Sequence, residues 1–338
     1  MINNTHKWAM WENGAYFDGS CHPLQNGTDL RELEQVAQME FESARPQSKT
    51  LYGGWWFFAF PIKSVSHHPF PFFVRGDDIS FSLANDFKIV TISGVVSFQD
   101  DFTEKESAQT LYLDLRNHLM HHLVFERLNR SAIGTAKIAI RFMMRSMLRF
   151  KYESAEAQLL AWHDVMKGPE FFDENIDMSE RRARIKSLVK DEAWREIDVL
   201  DARERRRFSK MPRRLRHYFG LFTLNGHLIP FWNRIGDRKV LNIGDRGLVF
   251  PALGGARLTY INTQRDKGYV VTQSKAKFFS LAWRMFTTLL AFRRSYSALQ
   301  AAYRKGYDEM TTQSYWQQTL ADDMAAADAG KEAAVQTD

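Results

Sequence analysis

The stretch His68-Pro-Phe-Pro-Phe-Phe-Val-Arg-Gly-Asp-Asp-Ile-Ser-Phe81 joins a proline-stiffened apolar segment to two adjacent aspartates, Asp77 and Asp78. Each proline biases the residue before it away from helix, so the first half is expected to be extended. The pattern from Ile79 to Leu83 predicts a short helix. The two carboxylates therefore lie where a rigid segment gives way to a helix.

Two interpretations of the aspartate pair follow from its place at a helix start. Aspartates are frequent in the first helical turn, where they cap the helix and complement its dipole. A junction between rigid elements is also a common place for active-site residues, because it aims their side chains at a cleft. One carboxylate can then take a proton from an attacking hydroxyl while the other orients that hydroxyl. Spacing alone leaves both interpretations open.

Upstream of the aspartates, the stretch Leu51–Pro61 contains two adjacent tryptophans, Trp55 and Trp56, next to a pair of glycines. The continuous aromatic run Trp55–Phe60 predicts a strand that is buried on both faces. Residues 62–65 predict one helical turn. Indole faces stack on sugar rings, and glycines let a ligand approach the backbone. Plain core packing is the alternative.

Downstream of the aspartates, Ile89–Ile92 and Val95–Phe98 predict two short strands. Residues 107–162 follow the helical period. Within them, Ile133–Phe150 carries methionines on one side and arginines on the other. Such an amphipathic helix can lie on a membrane surface or a partner helix, or it can face the core of its own domain.

The composition changes again in residues 216–272, where short apolar runs between Gly and Asn predict a small β region. These runs are Tyr218–Leu224, Leu248–Leu253 and Leu258–Ile261. Ser274 is expected to cap a long helix that continues to about Tyr307. Near the N-terminus, a helix is expected through Met39, with Thr28 or Asp29 as its N-cap.

The composition is that of a globular protein with a sizeable core, since 44% of the 338 residues are hydrophobic and 25% are charged. The net charge of +6, with arginine clusters after residue 180, suits an acidic partner: nucleic acid, an anionic membrane face or a sugar nucleotide diphosphate. A solvated helical face is the alternative. The single cysteine, Cys21, cannot form an internal disulfide. The single cysteine predicts a cytoplasmic protein, since the sequence also shows neither a signal peptide nor a bilayer-spanning apolar run.

Other candidate motifs are less specific. The pairs His67-His68 and His121-His122 do not indicate a joint metal site, because adjacent side chains point in different directions. The pair Arg116-Asn117 can bind a carboxylate or a phosphate, or it can lie on the surface. No zinc spacing, phosphate-binding glycine loop, Gly-x-Ser-x-Gly motif or helix-turn-helix signature occurs.

The order of the segments is more informative than any one of them. It runs Tyr52-Gly-Gly-Trp-Trp-Phe-Phe58, Pro69-Phe-Pro-Phe-Phe-Val-Arg-Gly-Asp-Asp-Ile79, Thr91-Ile-Ser-Gly-Val-Val96, then Tyr112 with Arg116-Asn117. This order resembles the bacterial galactofuranosyltransferases of glycosyltransferase family 2, including those that polymerise the mycobacterial cell-wall galactan. The resemblance runs from about residue 8 to residue 320.

The resemblance implies an α/β fold for the whole family enzyme and an α+β fold for the part of it that this chain matches. Residues 1–106 are then the acceptor-side part of a GT-A catalytic domain, and residues 107–215 are a helical domain. Residues 216–320 are a small β region with a C-terminal helix, and residues 321–338 are a disordered tail.

The resemblance also implies an inverting transfer of galactofuranose from UDP-galactofuranose to a cell-surface glycan acceptor. Asp78 matches the base of the family and Asp77 its acceptor-side neighbour, while Trp55 and Trp56 match the tryptophans that line the acceptor site. A divalent metal, Mn²⁺ or Mg²⁺, offsets charge on the leaving UDP. Gln99 stands where the family has a histidine ligand, and an amide is a poorer ligand for manganese unless Asp100 or Asp101 contributes.

In the family, a nucleotide-binding half with an Asp-x-Asp motif comes before this region. No Asp-x-Asp occurs between Met1 and Trp55, so the chain is expected to begin after that half and not to transfer sugar alone. The expected partners are a UDP-sugar donor and a glycan acceptor, without nucleic acid. Peripheral contact with the inner face of the membrane and homo-oligomerisation are further expectations. The alternative is a non-catalytic remnant or a membrane-associated interaction module.

Overall fold

The computed structural model describes residues 1–4, 6–92, 94–99, 105–197 and 204–321, and the chain combines α-helices with short β-strands. The helices are α1 Leu33–Ser43, α2 Asp77–Ala84, α3 Ala108–Val124, α4 Ala132–Met147, α5 Tyr152–Val165, α6 Glu170–Asp173, α7 Ser179–Leu188, α8 Arg213–Phe222, α9 Trp232–Ile235 and α10 Lys275–Met310. The strands are β1 Ile2–Asn3, β2 Ala15–Phe17, β3 Cys21–Pro23, β4 Leu51–Tyr52, β5 Phe98–Gln99, β6 Arg195–Glu196, β7 Asp237–Asn242, β8 Gly255–Ile261 and β9 Lys267–Thr272.

The centre of the molecule is a helical core in which α3 and α4 pack on α5, and α10 lies against all three. The helix predicted over 107–162 is confirmed as three helices. Ser107 begins the first with a capping box: its Oγ accepts from the Thr110 N–H at 3.2 Å, and the Thr110 hydroxyl accepts from the Ser107 N–H at 2.8 Å. The methionine side of α4 is buried at Met143 and Met147, so this amphipathic helix faces the core.

The long helix α10 confirms the prediction made from Ser274, whose Oγ accepts from the Lys277 N–H at 3.3 Å. One face of α10 is buried along most of its length. The buried side chains on this face include Phe278, Leu281, Phe292, Tyr296, Tyr303 and Tyr307. Residue 321 lies in the last described helical turn, and residues 322–338 of the predicted disordered tail lie outside the described residues.

The predicted small β region is a four-stranded sheet in the order β6-β9-β8-β7, with β7 and β8 parallel and the other pairs antiparallel. The run Leu258–Ile261 lies in β8 as predicted. The predictions for Tyr218–Leu224 and Leu248–Leu253 were wrong. The first lies mostly in α8, because its apolar residues continue a three- and four-residue period that begins at Leu215. The second contains a 3₁₀ turn at Phe250–Ala252, where Pro251 has no N–H for a strand ladder.

The N-terminal region contains two small sheets, an antiparallel β3-β2-β4 sheet and a parallel pair of β1 with β5. The strand predicted at Ile89–Ile92 does not form in the described residues. Of Val95–Phe98, only Phe98 enters a strand. Val90 and Ile92 are 78% and 70% exposed, so these apolar residues have no core to bury them. The first helix begins at Leu33 with Glu32 as its N-cap, rather than at Thr28 or Asp29.

The buried strand predicted for Trp55–Phe60 was also wrong. The segment is a turn followed by irregular extended chain, and its aromatic rings pack on one another and on α2 rather than in a sheet. Phe60 lies against Phe81 and Phe87 at ring-centroid distances of 5.1 and 5.6 Å. The Gly53 N–H donates to Ser82 Oγ at 3.1 Å instead of to a strand partner. The helical turn predicted after Pro61 is present as a 3₁₀ turn at Ile62–Ser64.

Among the residues that the structure describes, no helix combines the length and the apolarity needed to cross a bilayer.

Candidate functional site

The loop before the two aspartates contains three residues in the left-handed backbone conformation. Phe73 has φ +75°, Arg75 has φ +70° and Gly76 has φ +88°. Non-glycine residues in this region carry a conformational cost and persist only where the surroundings hold them. Gly76 is also the N-cap of α2. A Cβ atom at this position would lie 2.8 Å from His121 Cε1, so both the φ angle and the close approach of α3 require glycine.

Helix α3 holds this loop through side chains that bind its backbone carbonyls. Arg116 Nη2 donates to the carbonyl of Phe72 at 2.6 Å, and Asn117 Nδ2 donates to the carbonyls of Val74, at 3.1 Å, and Arg75. Arg116 and Asn117 are buried. The pair therefore supports the loop, and both earlier interpretations, an anion ligand or a surface pair, were wrong.

His121 completes the support, since its Nε2 lies 2.9 Å from the carbonyl oxygen of Gly76. Burial lowers the pKa of His121 to about 3, so the ring is neutral at physiological pH, and a neutral Nε2–H can donate this hydrogen bond. The pair His121-His122 does not indicate this role in the sequence. Its only signal was its position, four residues after Asn117 on the same face of a predicted helix.

Asp77 and Asp78 occupy the first turn of α2, as predicted, and both side chains are half-buried. Asp78 Oδ1 accepts from the N–H of Ile79 at 2.8 Å. Burial, together with the neighbouring carboxylate of Asp77, raises the pKa of Asp78 to about 7. Burial also raises the pKa of Asp77 above its usual range. Asp78 can thus exchange a proton near neutral pH.

The two tryptophans line different cavities, and Trp55 contacts α2. Trp55 packs edge-to-face on Phe81, one turn after Asp77, at a ring-centroid distance of 5.5 Å. It lines a cavity of about 630 Å³ together with Phe60. Trp56 lines a second cavity of about 470 Å³, and its Nε1 donates to Glu12 Oε1 at 2.6 Å. Each of the two tryptophan residues is 40% exposed.

Glu12 is a member of this site that the sequence argument missed. Its side chain is buried, and burial raises its pKa despite the hydrogen bond from Trp56. Its negative charge also contributes to the raised pKa of Asp78. No local pattern around Glu12 pointed to a site, because only the fold brings residue 12 to residue 56. Asp77 and Asp78 are not among the residues that line the two tryptophan cavities.

The predicted metal ligand, Gln99, is the last residue of β5, where its backbone carbonyl accepts from the Asn4 N–H at 2.8 Å. Asp100 and Asp101 lie outside the described residues. Within the described ranges, no group of three or more His, Cys, Asp or Glu side chains is arranged to hold a metal ion.

A comparison of the sequence with protein-family models and with curated proteins finds no match.

Proposed function

We propose that this chain carries the acceptor side of a galactofuranosyltransferase-type sugar transferase, with Asp78 as the catalytic base and residues 1–106 as part of a GT-A domain. One observation supports this proposal most. The first turn of α2 presents two carboxylates of raised pKa, held by a strained loop, on the helix whose Phe81 contacts Trp55. A helix cap alone does not need a loop fixed by three buried side chains of another helix.

In the proposed reaction, the carboxylate of Asp78 takes the proton of an acceptor hydroxyl. The hydroxyl oxygen then attacks the anomeric carbon of the donor sugar, the bond to UDP breaks on the opposite side, and the configuration inverts. Asp77 accepts a hydrogen bond from the acceptor and orients it. A base with a pKa near 7 suits this step, because a substantial fraction is deprotonated near neutral pH and the carboxylate is basic enough to accept a proton.

The acceptor glycan is proposed to lie over Trp55 and Trp56. An indole offers a flat apolar face to the C–H face of a sugar ring. The hydrogen bond to Glu12 fixes the Trp56 ring, and the contact with Phe81 orients Trp55. The metal and the UDP group remain predictions from the resemblance.

Acceptor binding tests this proposal without requiring donor chemistry. A galactofuranosyl trisaccharide is titrated into the chain by calorimetry. Trp55→Ala and Trp56→Ala are each expected to weaken binding by about ten-fold or more, because each removes a stacking face. The control is Trp283→Ala, whose indole is 66% exposed on α10. Absence of trisaccharide binding, or equal weakening by the control, contradicts the acceptor role and leaves the non-catalytic interaction module.

A further inference from the structure

A second surface of the molecule, unrelated to the aspartate site, is apolar and exposed. On α8 and the segment after it, six large apolar side chains face solvent. They are Leu215 (58% exposed), Tyr218 (57%), Leu221 (44%), Phe222 (79%), Leu228 (54%) and Phe231 (69%). Isolated exposed apolar residues need no explanation, but six of them on one short helix and the segment after it indicate an interaction surface.

The same segment has an unusual charge pattern. Between Glu204 and Asp237 lie 32 residues with eight Lys and Arg and without a single Asp or Glu. Arg213 and Arg214 are exposed on the first turn of α8, and Arg213 lies over the Phe250 ring at 4.9 Å. A helix with arginines beside exposed Leu, Tyr and Phe has the composition of an interfacial amphipathic helix.

The first half of α10 adds a second exposed stripe, next to the segment that follows α8. Phe279, Trp283, Phe286 and Leu290 are 47%, 66%, 48% and 38% exposed. Their spacing of four, three and four residues places them on one face of the helix. The buried ring of His227, one residue before Leu228, stacks on Phe278 at a ring-centroid distance of 4.1 Å, so the segment after α8 lies against the start of α10.

The charges along α10 also favour an anionic partner. Between Asp266 and Asp308 lie 41 residues with eight Lys and Arg and without an acidic residue. Acidic side chains from other elements do reach this helix: Glu156 pairs with Arg284 at 2.5 Å and Asp191 with Lys277 at 3.0 Å. Arg293 and Arg294 are exposed at the end of the apolar stripe.

We propose that the exposed sides of α8 and the first half of α10, here called the α8–α10 face, bind the surface of an anionic lipid membrane. The apolar side chains enter the interface between headgroups and acyl chains, while Arg213, Arg214, Arg293 and Arg294 contact lipid phosphates. A second copy of this chain is a poorer occupant, because a symmetric contact would bring the same arginines of both copies together. The surface does not depend on the proposed transferase activity.

Vesicle co-sedimentation tests this assignment with the full chain. Vesicles of phosphatidylglycerol and phosphatidylcholine are compared with vesicles of phosphatidylcholine alone. Binding is expected only with the anionic lipid, and it should weaken as salt rises. The double variant L215S/F222S and the double variant R213E/R214E are each expected to lower the partition coefficient about ten-fold or more.

Two matched controls make the test specific. L33S/I62S changes apolar side chains that are 83% and 85% exposed elsewhere on the molecule. R141E/R145E changes two exposed arginines of α4, the helix that the sequence pattern first suggested for membrane contact. Both controls should sediment like the wild type, and circular dichroism should show that all four variants fold.

Three results would overturn the proposal. One is the absence of binding to anionic vesicles, and another is an equal loss of binding in the α4 variant. The third is a dimer in size-exclusion chromatography with light scattering that L215S/F222S converts to a monomer, since the face would then be a contact between copies of the chain.

Discussion

The carboxyl group of Asp78 is subject to opposing influences at the start of α2. The N–H of Ile79 favours its charged form, as does the positive end of the helix dipole. Burial and the nearby carboxylates of Asp77 and Glu12 oppose that form, and the pKa of Asp78 is raised to about 7. The stability of the fold therefore depends on the ionisation of this carboxyl group.

The raised pKa predicts a pH-dependent gain in stability for Asp78→Asn. A carboxyl whose folded-state pKa exceeds its unfolded value binds more protons when folded. It therefore weakens the folded state progressively as pH rises from about 4 to about 7. The variant removes this penalty, so its free energy of unfolding should exceed that of the wild type by about 1–3 kcal/mol near pH 8. The gain should vanish near pH 4.

Urea unfolding at several pH values measures this difference. Asp86→Asn, at a side chain that is 83% exposed, is the control and should give no pH-dependent gain. If Asp78→Asn raises the free energy of unfolding equally at pH 4 and pH 8, the pKa of Asp78 is not raised in the folded state.

At the scale of elements, the main relation is between α3 and the loop before α2. Three α3 side chains, Arg116, Asn117 and His121, hydrogen-bond to carbonyls of residues 72–76. Each is buried, and losing a partner of a buried polar group is costly. Helix α3 thus fixes the direction in which α2 presents its first turn.

A pair of glycine substitutions tests this relation. Gly76 and Gly27 have nearly the same φ, +88° and +84°, but only Gly76 lies against α3, and a Cβ at Gly27 would meet no atom within 4 Å. Gly27→Ala is expected to cost about 1 kcal/mol from backbone strain alone. Gly76→Ala should cost roughly 2–4 kcal/mol, because it also displaces His121. Equal costs in chemical unfolding would show that α3 does not press on the loop.

The elements that sequence predicted well are those with strong local signals. Ser274 followed by a helical period gave α10, and the apolar period of 107–162 gave the helical core. The aromatic run Trp55–Phe60 failed because hydrophobicity does not say whether rings will pack in a sheet or on one another. The strand prediction for Tyr218–Leu224 missed helix α8, because the apolar residues of this run recur at helical spacing.

The site was predictable only in part, for a related reason. The aspartates and the helix that they begin could be inferred locally. The support from Arg116, Asn117 and His121 depends on how α3 packs, and the contact between Glu12 and Trp56 joins residues 44 positions apart. Such long-range contacts follow from the tertiary fold rather than from the pattern of neighbouring residues.

At the scale of the whole molecule, one buried hydrophobic cluster includes residues of all three predicted regions, among them Phe72, Trp162, Tyr260 and Tyr303. The division at residues 106 and 215 remains a prediction. Helix α2 is also linked directly to the end of α10, because the Tyr307 hydroxyl donates to the Ser80 carbonyl at 3.2 Å. The aspartate site therefore rests on the whole fold rather than on the N-terminal region alone.

The most direct test of the central claim is galactofuranosyl transfer by a protein that combines this chain with a donor-binding half. The assay supplies UDP-galactofuranose and a galactofuranosyl trisaccharide and compares the wild type, Asp78→Asn and the exposed control Asp86→Asn. If Asp78 is the base, Asp78→Asn should lower the transfer rate about 10²- to 10⁴-fold while trisaccharide binding is unchanged, and the control should keep full activity. Transfer by Asp78→Asn within a few-fold of the wild-type rate would contradict the proposed role of Asp78.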